Sequence, residues 1–73
     1  MTVLVIMGMR DNLCRERVAD ALGRVDGVKD VTVSLMRGRA IVEHEPSCEP
    51  AQLVWAVVNA GYGAALDDAG GQG

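Results

Sequence analysis

Two thiols, one imidazole and a short glycine-led loop carry the chemical potential of this chain: Cys14, Cys48, His44 and the run Gly8-Met9-Arg10-Asp11-Asn12-Leu13-Cys14. The run closes an alternating apolar segment and opens a stretch with helical periodicity, so Cys14 is expected in a first helical turn. Backbone N–H groups there have no intrahelical partner, and the helix dipole favours negative charge, so a thiol ionises more readily than a free one. Arg10 and Arg15, close in sequence, are expected to add positive potential. A thiolate is what soft-metal binding and nucleophilic chemistry both require. Asp11 has two readings, a helix N-cap or a hard oxygen donor to a metal. Met9 is either a sulfur ligand or a hydrophobic plug beneath the loop, and its unbranched thioether suits the plug.

The elements that must hold this loop follow from the apolar spacing. Thr2 to Met7 alternates, with Leu4 and Ile6 on one face and Val3, Val5 and Met7 on the other; apolar on both faces, it reads as a central strand. With Asp11 as N-cap, Cys14 falls at N3 and the first helix runs to about Arg24 or Val25. Val18, Leu22 and Val25 form its buried stripe with Ala21 beside them, and Asp26-Gly27 supplies the left-handed residue that ends it. Val28 to Leu35 alternates as a second strand, Met36 to Arg39 turns the chain, and Ala40 to Glu45 returns until Pro46 stops it. Pro50 opens a second helix to about Asn59 with Leu53, Val57 and Ala60 buried, and Gly61-Tyr62-Gly63 leads into a last strand, Ala64 to Leu66.

This order, strand, helix, strand, strand, helix, strand, gives an α+β fold with right-handed crossovers. It is the ferredoxin-like sandwich, a four-stranded antiparallel sheet with two helices on one face. Residues 1–66 make the domain, and 67–73, Gly-rich and acidic, are expected to be a disordered tail.

At 73 residues the chain is one domain near the lower limit for folding on a single core. A net charge of -3 with a pI near 4.8 argues against a nucleic-acid footprint. No segment approaches the roughly 18 apolar residues of a membrane span, and the apolar start lacks the marks of a signal peptide. The expectation is a cytoplasmic protein with reduced thiols. Catalysis is not expected: no histidine accompanies Cys14, and no phosphate loop or paired-carboxylate motif appears.

In this topology Cys14 and Cys48 lie at opposite ends of the sheet, roughly 20 Å apart, too far for a disulfide or a shared metal. His44 and Cys48, with Glu43, Glu45 and Glu49 nearby, make either a secondary Zn(II) or Ni(II) site or a strand end and a helix cap. Trp55, Val54 and Val58 fall on the side of the second helix away from Leu53, and Val3, Val5, Met7 and Ile41 line the open face of the sheet. Either surface suits self-association or docking.

The loop resembles that of the heavy-metal-associated domain family, the copper chaperones and amino-terminal modules of metal-pumping ATPases, whose motif is Gly-Met-x-Cys-x-x-Cys. Gly8, Met9 and Cys14 match, and Asp11 stands where the family has its first cysteine. Asp26-Gly27-Val28, Val33-Ser34-Leu35, Gly38-Arg39-Ala40 and Ala60-Gly61-Tyr62 are similar to the family's supporting positions, so the resemblance spans about residues 2–66. It implies a metal-binding protein that takes Cu(I) through Cys14, shared between two chains as a homodimer or passed to a metal-transporting ATPase or other metal-receiving protein. It also implies that Met9 is a plug and that Tyr62 packs near the loop. Two alternatives stand beside it: a Zn(II), Co(II) or Cd(II) variant using Asp11 and Cys14, and an interaction or regulatory module that no longer binds metal.

Overall fold

The computed structural model describes residues 1–67. Its elements are β1 (Thr2–Met7), α1 (Asn12–Gly23), β2 (Val28–Ser34), β3 (Arg39–His44), α2 (Pro50–Asn59) and β4 (Gly63–Leu66). The sheet order is β2-β3-β1-β4 with every pair antiparallel, so β1 is flanked on both sides, as its two apolar faces require. Leu4, Ile6, Ala40 and Val42 from the sheet, Val18 and Leu22 from α1, and Leu53 and Val57 from α2 close a single core with Cys48. This is the ferredoxin-like sandwich expected from the order of elements.

Nothing larger than leucine is fully buried, and among the described residues no polar or charged side chain is. Small aliphatic side chains fill the space between helices and sheet, so the core depends on close fit rather than on aromatic area.

Several placements differ from expectation. The helix α1 ends at Gly23, capped by Arg24 in a right-handed conformation whose N–H donates to the carbonyl of Asp20. Gly27 does not end the helix; with φ +90° it makes the turn into β2. Its carbonyl there accepts from the Glu45 N–H at 2.7 Å. On α2, Ala60 is exposed as the C-cap instead of buried: the last core residue of the helix is Val57, and the chain turns away after Asn59. Val54, expected to point away, is half-buried and packs on the core cluster, leaving Trp55 and Val58 outside. Asp67, the first residue of the expected tail, donates its N–H to the Val3 carbonyl and pairs with Arg39 at 3.1 Å; the rest of that tail lies outside the described residues.

The two glycines of this region predict opposite effects. Nothing stands within 4 Å of a Cβ at Gly23, whereas one at Gly27 would meet the Cys48 Cβ at 3.1 Å on a positive-φ backbone. Gly23→Ala is expected to stabilise the fold by about 0.5–1 kcal/mol through lost unfolded-state freedom. Gly27→Ala is expected to destabilise it by about 1–2 kcal/mol. Denaturant unfolding of both variants checks the pair of signs.

Candidate metal centre

The chain leaves β1 through Gly8, whose φ of +98° turns it across the end of the sheet. A Cβ at Gly8 would stand 3.6 Å from Tyr62 Cδ1, so the loop lies directly against the tyrosine ring. Met9 is half-buried and packs against the core cluster, the position of a plug. Asp11 has the extended backbone of an N-cap, and its Oδ1 accepts the Cys14 N–H at 3.0 Å. Its carbonyl takes the Arg15 N–H at 3.2 Å, so α1 begins at Asn12 and Cys14 occupies N3 as the spacing required.

Cys14 is half-buried, and its thiol is held below the ordinary cysteine value, first by the Tyr62 hydroxyl and then by the backbone N–H of Arg10. Partial burial and the Asp11 carboxylate oppose this, the carboxylate because it accepts a hydrogen bond from the protonated thiol. The same contacts act in reverse on the partners. The Tyr62 hydroxyl is pushed up by its bond to Cys14, and Asp11 is held below the usual carboxylate range by the Cys14 amide and thiol. The positive influence at the sulfur therefore comes from a phenol and main-chain amides. The expected guanidinium contribution of Arg10 and Arg15 is not among the leading causes, and the arginine that does act on the site is Arg17, on Asp11 and Tyr62.

The remaining candidate ligands lie elsewhere. Cys48 is 3% exposed, wedged under Gly27, with its N–H bonded to the Glu45 carbonyl. His44, at the end of β3, has both ring nitrogens engaged: Nε2 with Thr2 Oγ1 at 2.7 Å and Nδ1 with the Glu45 carbonyl at 2.9 Å. This is the end of the sheet where β1 begins, whereas Cys14 stands where β1 ends. The strand-end and helix-cap reading of His44 and Cys48 fits these contacts. The Thr2 to His44 bond was not foreseen, although the antiparallel β1–β3 pairing was the signal that brings the two close. Among the described residues no group of three or more His, Cys, Asp or Glu side chains could hold a metal ion, so no third side chain of these four types joins Cys14 and Asp11. An open groove between α1 and α2, with Arg17 and Arg24 on one wall and Asn59 on the other, carries no thiol or imidazole.

Two substitutions separate the contacts on the thiol. In a Cys48→Ala background, followed by thiolate absorbance against pH, Tyr62→Phe is expected to raise the Cys14 midpoint. Asp11→Asn, which keeps a good N-cap, is expected to lower it. Because the folded chain gives up the Cys14 proton at lower pH than the unfolded chain, this group makes stability rise with pH between the two values. The contribution is fully present above the unfolded value and lost as pH falls through the folded one, and Tyr62→Phe is expected to narrow that window.

Comparison with known proteins agrees with this geometry. The profile of the heavy-metal-associated domain family matches residues 3–63. The chain is 41% identical over 69 residues to a mercuric reductase of Serratia marcescens, covering 94% of this chain but spanning only 15% of that protein's length. It is 35% identical over 58 residues to the copper chaperone CopZ of Enterococcus hirae, covering 78% of this chain and 84% of that one. The solved Hg(II) complex of the N-terminal domain of Tn501 mercuric reductase superposes with a TM-score of 0.84 at 40% identity. That match covers 94% of this chain and 100% of that one. No helix among the described residues is long and apolar enough to cross a membrane. With the loop, the thiol at N3 and the sandwich all in place, the chain belongs to the heavy-metal-associated domain family.

Proposed function

We propose that this domain carries a soft, thiophilic cation, Cu(I) foremost, on the Cys14 thiolate, with the second donor supplied by another molecule. The observation that carries the reading is Cys14 itself, a partly accessible thiol at the start of α1 whose ionised form is favoured by Tyr62 and the Arg10 amide. Thiolates select Cu(I) among available metals, and a two-coordinate ion needs only one further donor. That donor is Cys14 of a second chain or a cysteine of a metal-receiving protein such as a metal-transporting ATPase. A reducing cytoplasmic setting keeps the thiol available. Hg(II), the ion in the solved mercuric reductase domain, is as soft and fits the same arrangement.

The Zn(II), Co(II) or Cd(II) variant is less well supported. One Asp11 oxygen is committed to the Cys14 amide, and Zn(II) takes four ligands where this loop offers two. The reading as an interaction module without metal is favoured by that same bond, because N-capping alone accounts for Asp11.

A Cu(I) titration of the reduced protein, with mass measured under native conditions, decides between them. The expected result is one ion per two chains, abolished by Cys14→Ser and untouched by Cys48→Ser; no uptake below micromolar concentrations rejects the copper reading. Asp11→Cys is expected to change the stoichiometry to one ion per chain. It should raise affinity at least tenfold, roughly, because a tethered donor acts at an effective concentration of about millimolar or more. Unchanged affinity in that variant would mean that the two side chains do not face one ion.

A further inference from the structure

Residues 50–66, which form α2 and β4, contain no charged side chain, in a chain where 23% of residues are charged. On the outer side of α2, Trp55 is 64% exposed and Val58 45%. On β4, which α2 packs against, Leu66 is 45% exposed on the helix side of the sheet, since it pairs with the buried Leu4. α2 packs against β4, so these exposed apolar side chains all belong to the α2–β4 margin.

β4 is also a sheet edge. The Asp67 N–H bonds to the Val3 carbonyl at 2.9 Å, which makes Val3/Asp67, Val5/Ala65 and Met7/Gly63 the pairs that exchange hydrogen bonds with β1. Ala64 and Leu66 therefore direct their N–H and C=O groups outward, and among the described residues β4 has no strand on that side. The opposite edge is protected differently: β2 carries Lys29 and Asp30 and an irregularity between Val28 and Asp30. Charges and bulges of that kind prevent edge pairing, and β4 has neither.

We propose that the α2–β4 margin pairs two copies of this chain, edge to edge, into a continuous eight-stranded sheet. Setting Ala64 of each copy opposite Leu66 of the other, about a two-fold axis at Ala65, satisfies all four outward groups on each copy and brings the two apolar patches together. The occupant is a second copy for reasons of charge and area. Two chains of net charge -3 repel through most of their surfaces, and this margin is where they meet without opposing like charges. The chain's own residues 68–73, an aspartate, an alanine, three glycines and a glutamine, offer too little apolar surface to cover it. The patch contributes on the order of 300 Å² per chain, below the half-share of a standard interface, so the pairing is weak and concentration-dependent. The antiparallel arrangement leaves the two Cys14 loops at opposite ends of the joined sheet, so this dimer neither needs metal nor places both thiols on one ion.

The test is sedimentation of the reduced, chelator-treated protein from micromolar to millimolar concentration, with emission from Trp55, the sole tryptophan, read on the same samples. Because no metal is present, the result is independent of the metal-carrier reading. The weight-average mass is expected to climb from the chain's 7.7 kDa towards twice that value while Trp55 emission shifts to the blue. Leu66→Lys and Val58→Glu, at exposed positions that leave the core intact, are each expected to weaken pairing at least tenfold, roughly, as edge charges do. Cys14→Ser, and Ile41→Lys on the open sheet face, are expected to leave it unchanged. A monomer throughout the range overturns the proposal. So does a dimer lost in Cys14→Ser or Ile41→Lys, or one that survives both Leu66→Lys and Val58→Glu.

Discussion

The hydrogen bond from the Cys14 amide to Asp11 Oδ1 is the contact on which both fold and site depend. By making Asp11 the N-cap it sets the rotational phase of α1, and that phase puts Cys14, Val18 and Leu22, four residues apart, on one stripe. Val18 and Leu22 fill the core, and Cys14 is the same stripe's last member, emerging at the margin of the sandwich. Its half-burial is thus a product of helix phase. A start one residue later would rotate the stripe by about 100°, exposing the valine and moving the thiol away from Tyr62.

Tyr62 brings in the second half of the chain. Its N–H bonds to the Val57 carbonyl at the end of α2, and its ring meets Gly8. The two halves of the molecule therefore join at the sulfur: one supplies the thiol and the amides around it, the other the hydroxyl with the largest effect on its ionisation. A reading based on the helix terminus alone gets the direction right, because unpaired amides favour a thiolate. It misses the size order of the causes, because the phenol arrives only through tertiary folding.

That division describes how much was legible in advance. Alternation in β1, β2 and β3 and the capping aspartate are local signals, and the structure follows them to within a residue or so. The family motif carried the expectation that Tyr62 lies near the loop. What local pattern could not supply was the placement of residues whose surroundings come from elsewhere in the chain. Ala60 reads as a core position by spacing, but α2 stops before it, and Val54 turns inward because the helix packs beside β4 as well as over the sheet. Gly27 is a similar case. Its conformation was anticipated and its job was not, because the bond from Glu45 that fixes the turn is a long-range contact.

Asp11 shows why a single-thiol loop remains a coherent arrangement. The position where the family motif has a cysteine is also the helix N-cap, and the two roles ask for different chemistry. Aspartate is among the best caps, while cysteine is not among the favoured ones and is the better donor to a soft ion. With aspartate present, the loop is held whether or not metal is bound, and one oxygen of the carboxylate is already engaged. The remaining oxygen is a hard donor beside a soft sulfur. On the proposed reading, an ion on Cys14 would gain little from its neighbour and would complete its coordination with a thiol from outside the loop. Under that proposal occupancy would follow the concentration and reach of the outside thiol, an arrangement suited to exchange between molecules and poorly suited to storage.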